Sequence, residues 1–211
     1  MKKPDRLLAD KLLEISAVKL QPEMPFVWGS GWNSPIYNDN RRILSYPDVR
    51  NFVKVRMASV ILEAYPETQV VASVSTAAIP FGAMVADMLG LPFVYVRSTP
   101  KDHGLENLVE GDLQIGQKVV MVEDIVATGG GSVKAAEILR FNACEVLGGV
   151  CVLNYVFPGT VKRLRDADIH MESLCTYDTL VEAAIDIQYI HPSQETTLKE
   201  WRKDPANWVA Q

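Results

Sequence analysis

The sequence reads Val119-Val120-Met121-Val122-Glu123-Asp124-Ile125-Val126-Ala127-Thr128-Gly129-Gly130-Gly131-Ser132 at its most informative point. Apolar residues come first, then two adjacent carboxylates, and then small residues rich in glycine. The residues that follow, 133–140, have the spacing of a helix. This order predicts a buried strand, an acidic strand end, a tight loop and a helix.

Phosphate is the ligand that suits such a loop. Backbone N–H groups of a glycine-rich turn, together with those of a helix N-terminus, form a concave site for an anion. Glu123 and Asp124 cannot serve the same phosphate, and they suit hydroxyls or a hard cation such as Mg²⁺. A sugar with a phosphate at one end, hydroxyls in the middle and a metal-bound anion beyond would satisfy all of these groups.

Two other interpretations account for this stretch less well. A purely structural one, a buried strand that ends in a flexible turn, leaves the paired acids unexplained. Other phosphate-binding loops fit less well, because the chain contains neither Gly-x-x-x-x-Gly-Lys-Ser/Thr nor a Gly-x-Gly-x-x-Gly that opens a helix.

Composition places the chain among ordinary globular proteins. Its 211 residues are 48% apolar and 22% charged, which predicts one well-buried domain with a small N-terminal hood. We expect a hood at about 1–45, a core at about 46–190 and a helical tail at about 191–211. A formal charge of −5 argues against a nucleic-acid-binding surface.

Cysteine usage and the apolar pattern indicate the compartment. Cys144, Cys151 and Cys175 lie in or beside apolar segments and are expected to be buried free thiols. The sequence has neither an export signal nor an apolar run of about 20 residues, the length that a membrane span requires. We therefore expect a cytoplasmic protein that does not contact a membrane.

Apolar strands alternate with helices through most of the chain. Helices are predicted from Leu7 to Val18 and at 50–63, 81–89, 133–140, 161–165 and 178–185, the last one capped by Asp178. Strands are predicted at 70–74, 93–96, 118–122, 144–153 and 169–175. Alternation of this kind indicates an α/β fold with a parallel sheet and a ligand site outside the carboxyl ends of its strands.

Two further segments are candidates for ligand contacts. The long segment 98–117 follows Arg97 and contains Lys101 and His103, which would suit a lid that brings positive charge to a pyrophosphate leaving group. A solvated hairpin with incidental charges is the alternative. Residues 28–42 are rich in aromatic, amide and glycine residues, which suit a flat acidic heterocycle or simply a tryptophan-anchored hairpin.

Taken together, these segments resemble the orotate phosphoribosyltransferases, which are type I phosphoribosyltransferases. The match rests on Ser30-Gly31-x-x-Ser34-Pro35-x-Tyr37, Lys101-Asp102-His103-Gly104 and the acidic signature at 123–132. Segments 75–80, 177–180 and 200–205 add to it, so that it covers about 7–208. The resemblance implies the type I phosphoribosyltransferase fold, a mostly parallel twisted sheet flanked by helices, with a small N-terminal hood.

The resemblance also implies a reaction and its participants. The family transfers a 5-phosphoribosyl group from phosphoribosyl pyrophosphate to orotate, giving orotidine 5′-monophosphate and pyrophosphate in pyrimidine biosynthesis. The implied cofactor is Mg²⁺, which we expect to be held mainly by pyrophosphate and at most through water by Asp124, with no residue as a direct metal ligand. A homodimer with shared active sites is implied as well.

Site residues follow from the resemblance one position at a time. Catalytic roles fall on Lys101, His103, Glu123 and Asp124. Contacts to phosphoribosyl pyrophosphate are expected from Ala77, Arg97, Lys101, His103, Glu123, Asp124, Ile125, Val126, Ala127, Thr128, Gly129, Gly130, Gly131 and Ser132. Contacts to orotate are expected from Tyr37, Asn38, Ala127 and Tyr155.

Four positions depart from the family pattern. Gly29, Ala77, Ser98 and Tyr155 stand where many members have basic residues. Arg97, Lys101, His103 and both acids are nevertheless present, which favours an active enzyme. The alternatives are a phosphoribosyltransferase for another nucleobase and a non-catalytic nucleotide-sensing regulator on the same fold.

Overall fold

A computed structural model describes residues 3–29, 31–97 and 108–209. The chain divides into two compact units, one made of Met1–Val49 with Cys175–Gln211 and the other of Arg50–Leu174. The division into hood, core and tail stays a prediction. In chain order the elements are α1 (Pro4–Glu14), β1 (Val18–Leu20), β2 (Phe26–Val27), β3 (Asn33–Ser34), β4 (Ile36–Asn38), α2 (Pro47–Ala64), β5 (Val70–Val74), α3 (Ile79–Leu89), β6 (Phe93–Val96), β7 (Val109–Glu110), β8 (Lys118–Val126), α4 (Gly130–Phe141), β9 (Glu145–Asn154), α5 (Pro158–Asp166), β10 (Met171–Thr176), α6 (Tyr177–Asp186) and α7 (Glu195–Lys203), with 3-10 turns at Asn40–Ser45 and Pro192–Gln194.

A six-stranded sheet forms the centre of the second unit. Its order is β10-β9-β8-β5-β6-β7. Strands β6, β5, β8 and β9 run parallel, whereas β7 pairs antiparallel with β6. The predicted α/β fold with a mostly parallel sheet is therefore confirmed.

Both faces of this sheet are covered, which explains why its strands read as apolar runs rather than as alternating patterns. On one face, alternate residues of β5, β6 and β8 pack with Ala135, Ala136 and Leu139 of α4 and Leu164 of α5. On the other face, α3 approaches β5 so closely that a Cβ on Gly82 would lie 2.0 Å from Ser73 Oγ. The parallel strands are thereby fixed with their carboxyl ends at one edge.

The first unit is built around aromatic side chains and a helix pair. Trp201 lies edge-on to Trp28, with ring centroids 5.5 Å apart, and its Nε1 donates to Asn33 O over 3.0 Å. Trp28 N donates to Trp32 O over 2.9 Å, so that β2 and β3 form a hairpin anchored by tryptophan, as the structural alternative predicted. Helix α1 packs against α6, where Arg6 pairs with Asp186.

Several predicted boundaries were wrong. Helix α1 ends at Glu14 rather than continuing to Val18, because Ser16 adopts a positive φ of 55° and the chain turns into β1. The cap of α6 is Thr176, whose Oγ1 accepts from Thr179 N over 3.3 Å, and not Asp178. Segment 98–117, predicted without regular structure, contains the short strand β7.

Two boundaries next to the acidic signature also differ from the prediction. Strand β8 continues to Val126, which pairs with Asn154 of β9, so that both acids lie inside the strand and not beyond it. Helix α4 starts at Gly130, three residues earlier than predicted. The loop between the strand and the helix is therefore only three residues long.

None of the described helices has the length and the apolar character needed to cross a bilayer. All three cysteines are free and buried, as the sequence predicted.

Replacement of Gly82 by alanine tests the tight α3–β5 contact. We expect Gly82→Ala to lower the free energy of unfolding by about 1–3 kcal/mol, because the new methyl group overpacks against Ser73 and Phe93. Gly159→Ala is the matched control, since nothing lies within 4 Å of a Cβ at that helical position. Chemical denaturation measures both, and equal stabilities would contradict the packing argument.

Candidate active site

The carboxyl ends of four parallel strands meet at one edge of the sheet. Strand β8 lies between β5 and β9, and Val74 of β5 is level with Val96 of β6. The segments that leave this edge are the turn after β5, the segment that begins with Arg97, the loop after β8 and the segment that begins with Tyr155. In parallel sheets, ligands bind outside such strand ends.

The loop after β8 turns sharply at Gly129. Its φ is 73°, in the left-handed region that glycine adopts without a steric penalty. A Cβ at this position would also lie 3.1 Å from Thr160 Cγ2 and 3.5 Å from Leu164 Cδ2. Glycine is therefore required here both for its backbone conformation and for the close approach of α5.

Helix α4 begins directly after this turn with its first N–H groups available for an anion. Val133 N donates to Gly129 O over 3.1 Å, which is the first intrahelical bond. The N–H groups of Gly130, Gly131 and Ser132 precede it and have no intrahelical acceptor, and no side chain of the described residues caps the helix. Partial positive charge at this end of the helix favours a bound phosphate.

Glu123 is buried beside the first turn of α4. Only 7% of the residue is exposed, and Ser132 Oγ donates to its Oε1 over 2.7 Å. The pKa of the Glu123 carboxyl is raised to about 8, mainly by burial; the hydrogen bond from Ser132 lowers it and the charge of Asp124 raises it, and both effects are smaller than that of burial. At neutral pH the protonated form therefore predominates. The predicted contact between Ser132 and phosphate stays a prediction, since its hydroxyl hydrogen is directed at Glu123.

Asp124 has a different environment from its neighbour. Successive side chains of a strand point to opposite faces, so that Asp124 faces away from α4. It is partly exposed. The adjacent acids thus have separate surroundings, one inside the core and one partly exposed on the opposite side of the strand.

Arg97 stands where β6 ends. Its backbone N donates to Leu108 O over 2.7 Å, and its Nη1 lies 3.5 Å from Glu110 Oε1. Residues 98–107 connect these two anchored positions. The predicted lid residues Lys101 and His103 lie outside the described residues, and their roles stay predictions.

The turn after β5 brings Ala77 to the same edge of the sheet. Ser73 Oγ donates to Ala78 O over 2.9 Å, and Ser75 N donates to Val96 O over 2.9 Å. The peptide between Ser75 and Thr76 is cis. Ala77 itself is partly buried, and it offers only backbone groups to a ligand.

Tyr155 follows β9, beside the glycine loop. It is 1% exposed, its ring stacks on Phe157 with centroids 5.2 Å apart, and its backbone N donates to Val126 O over 3.0 Å. Burial raises the pKa of its hydroxyl. In this state the ring packs in the protein interior, and its predicted contact with orotate stays a prediction.

The predicted orotate contacts Tyr37 and Asn38 belong to the first unit. Tyr37 is 40% exposed, and its ring lies 5.5 Å from that of Phe26. Asn38 Oδ1 and Nδ2 are both buried and have no hydrogen-bond partner among the described residues. A buried amide of this kind carries a desolvation cost that a polar ligand would offset.

Comparison with known proteins agrees with this geometry. A family model of the phosphoribosyl transferase domain matches residues 52–168. The orotate phosphoribosyltransferase of Bacteroides thetaiotaomicron is 52% identical over 210 residues, which cover 100% of this chain and 99% of the relative. The chain belongs to the orotate phosphoribosyltransferase family.

Solved structures of the family show the same fold. The orotate phosphoribosyltransferase of Aeropyrum pernix is 30% identical and has a TM-score of 0.71, over 83% of this chain and 97% of that one. The UMP synthase of Leishmania donovani is 26% identical and has a TM-score of 0.81, over 95% of this chain but only 42% of that longer one. Family membership confirms both the recognition and the fold class predicted from the sequence.

Two residues near the loop were missed by sequence reasoning. Thr160 and Arg163 of α5 donate hydrogen bonds to the carbonyl groups of Ala127 and Thr128. The sequence carries no signal for either bond, because the acceptors are backbone atoms 33 and 35 residues away.

Stability as a function of pH tests the buried state of Glu123. The folded pKa of about 8 lies above the ordinary value of 4.5, so the folded state keeps a proton that the unfolded chain releases. The stability of the wild type should therefore fall as the pH rises from about 4.5 to 8. Glu123→Gln does not titrate, and its stability relative to the wild type should increase by on the order of 2 kcal/mol between pH 5 and pH 7.

Chemical denaturation at several pH values gives this difference directly. Glu137→Gln, at an exposed position of α4, is the matched control and should follow the wild type at every pH. Curves for Glu123→Gln and the wild type that stay parallel across this range would show that Glu123 is ionised in the folded protein.

Proposed function

We propose that this protein transfers a 5-phosphoribosyl group from phosphoribosyl pyrophosphate to N1 of orotate, releasing pyrophosphate and giving orotidine 5′-monophosphate. The observation that carries the proposal is the anion site at the start of α4, three residues after strand β8, which contains Glu123 and Asp124 near its carboxyl end. The full-length similarity to a protein named orotate phosphoribosyltransferase supports the same substrates.

The reaction needs little covalent chemistry from the protein. The bond from the anomeric carbon to pyrophosphate oxygen breaks, its electron pair leaves with pyrophosphate, and a bond to orotate N1 forms at the same carbon. Positive charge develops on the ribose ring as the leaving group departs, as in glycoside hydrolysis. Alignment of the reactants and matching electrostatic fields can supply the catalysis.

Each part of the site has one role in this proposal. The N–H groups from Thr128 to Ser132 bind the 5′-phosphate, and the carboxylate of Asp124 accepts hydrogen bonds from the ribose hydroxyls. Glu123 is assigned a place near the ribose, where its carboxyl oxygens would favour positive charge on the ring. Together they fix the sugar while its other end reacts.

The pyrophosphate end is assigned to Arg97, Lys101, His103 and the backbone at Ala77. Growing negative charge on the leaving group would be stabilised by the cations, and His103 would donate a proton to it. Mg²⁺ neutralises the pyrophosphate when bound. Asp124 fits a water-mediated contact to this ion, because Mg²⁺ keeps several waters and prefers carboxylate oxygens alongside substrate phosphates.

The acceptor end is assigned to Tyr37, Asn38 and the backbone of Ala127, with Tyr155 beside the loop. An amide can both donate to and accept from the polar edge of a pyrimidine dione, which suits the buried amide of Asn38. We further propose a homodimer with shared active sites, and a cytoplasmic location that the three free cysteines support.

Loss of orotate absorbance after addition of phosphoribosyl pyrophosphate and Mg²⁺ tests the reaction. The wild type should turn over orotate, and Asp124→Asn and Lys101→Ala should each lower kcat by about 100-fold or more, because each removes charge from the transition state. Glu137→Gln on the exposed side of α4 should keep wild-type activity. Near-wild-type rates in both site variants would rule out the assigned roles, and turnover of a different base in place of orotate would establish the alternative acceptor.

Asn38 provides a separate test of the acceptor site. Asn38→Leu should raise the KM for orotate by about tenfold, since it removes the hydrogen bonds to one substrate, and it should leave the KM for phosphoribosyl pyrophosphate unchanged. It should also stabilise the ligand-free protein against thermal unfolding, because a buried amide without partners is replaced by an apolar group. A lower melting temperature together with an unchanged KM for orotate would assign Asn38 a purely structural role.

A further inference from the structure

Four consecutive carbonyl groups around the glycine loop all accept hydrogen bonds from donors of the protein. Val126 O accepts from Tyr155 N (3.0 Å), Ala127 O from Thr160 Oγ1, Thr128 O from Arg163 Nη1 (2.5 Å) and Gly129 O from Val133 N (3.1 Å). The first and last donors are backbone N–H groups, Tyr155 N directly after β9 and Val133 N in α4. The middle two are side chains of a single helix, α5.

These bonds determine where the amide groups of the loop point. In a planar trans peptide the C=O of one residue and the N–H of the next are directed to opposite sides. A carbonyl of Ala127 held toward α5 therefore directs the N–H of Thr128 away from α5. In the same way, the carbonyl of Thr128 fixes the direction of the Gly129 N–H.

The two side-chain donors are placed by the geometry of α5. Pro158 opens the helix at a position where its missing N–H costs nothing. Thr160 and Arg163 are three residues apart and so lie on one side of the helix. Thr160 is 3% exposed, and its methyl group would lie 3.1 Å from a Cβ at Gly129, whereas Arg163 reaches the loop from an exposed position.

The neighbouring charges of α5 serve the helix itself. Lys162 Nζ lies 2.5 Å from Asp166 Oδ2, and Arg165 Nε lies 3.8 Å from Asp166 Oδ1. Among the described contacts of this helix, the side-chain bonds to the loop come from Thr160 and Arg163. Arg165 is thus a suitable control for the loss of a guanidinium group from the same helix.

We propose that Thr160 and Arg163 are positioning residues of the 5′-phosphate subsite. They hold the carbonyls of Ala127 and Thr128 toward α5, so that the N–H groups of Thr128 and Gly129 converge on the phosphate. The inference rests on the proposed function, because it takes this loop as the site of the ribose phosphate. Neither side chain needs to touch the substrate. Their effect is to fix the donors before the ligand arrives, which lowers the ordering cost of binding.

Steady-state kinetics of variants at the two positions separate this role from a general loss of structure. Thr160→Val removes the donor and keeps the shape, and it should raise the KM for phosphoribosyl pyrophosphate by about tenfold. Arg163→Met should raise it by about threefold, because an exposed bond contributes less. In both variants kcat should stay within about twofold of the wild type, since the phosphate lies away from the reacting carbon.

Inhibition constants show which end of the substrate is affected. The constant for ribose 5-phosphate should rise in parallel with the KM, whereas the constant for pyrophosphate and the KM for orotate should not change. Thr160→Ser and Arg163→Lys keep a donor and should restore most of the affinity. Arg165→Met should behave as the wild type.

Three results would overturn the proposal: a fall in kcat with an unchanged KM, an equal loss of affinity for pyrophosphate, or a Thr160→Ser variant as impaired as Thr160→Val. Calorimetric titration of ribose 5-phosphate distinguishes a failure of the positioning role from a failure of the proposed reaction. A wild type that binds ribose 5-phosphate more tightly than Thr160→Val but does not convert orotate would refute the proposed reaction and leave the positioning role standing.

Discussion

The site depends on a property of every peptide unit, which is that its carbonyl and its amide point in opposite directions. A loop that offers several N–H groups to one ligand must send the intervening carbonyls to the other side. Those carbonyls are then buried against the protein and require donors of their own, because an unpaired buried carbonyl is costly. The glycine loop of this chain can serve as an anion site because β9, α5 and α4 each provide donors on its outer side.

The sheet makes this arrangement possible. Strand β8 is the point from which the loop leaves, and it is held between β5 and β9 by parallel ladders. The crossover from β9 through α5 returns the chain along the face that carries α4, where α5 packs against that helix. The helix that bonds to the loop after β8 is therefore α5, which follows the neighbouring strand β9.

Much of the fold could be predicted from the sequence. The bounds of β5 and β6 were predicted to the residue, because each is a short apolar run, and Gly90 stops the helix that separates them. The two-residue strand β7 could not be predicted, since two residues show no period and its pairing is with β6, which lies more than ten residues earlier in the sequence. The cap of α6 was missed because Thr176 still belongs to a strand when it accepts from the helix.

The site was predictable to the extent that its chemistry lies in consecutive residues. Glu123, Asp124 and the glycines that follow are adjacent, so their order alone indicates a phosphate next to hydroxyls. Burial of Glu123 and of the Asn38 amide depends on packing by distant segments, which a local pattern does not contain. Thr160 could not be predicted for the same reason, because it bonds to a backbone oxygen, and every residue type carries such an oxygen.

Burial of Glu123 has a consequence for a site that must accept a polyanion. An ionised Glu123 beside the start of α4 would oppose the approach of phosphate. A pKa of about 8, caused mainly by desolvation, keeps Glu123 protonated at neutral pH, so that it adds no negative charge beside the proposed phosphate site. On the proposed function, positive charge develops on the ribose ring during the reaction, and this charge is attracted to the oxygen atoms of the Glu123 carboxyl group. The interaction between Glu123 and the ring then becomes stronger in the transition state than in the ground state, which is the condition that an interaction must meet to accelerate the chemical step.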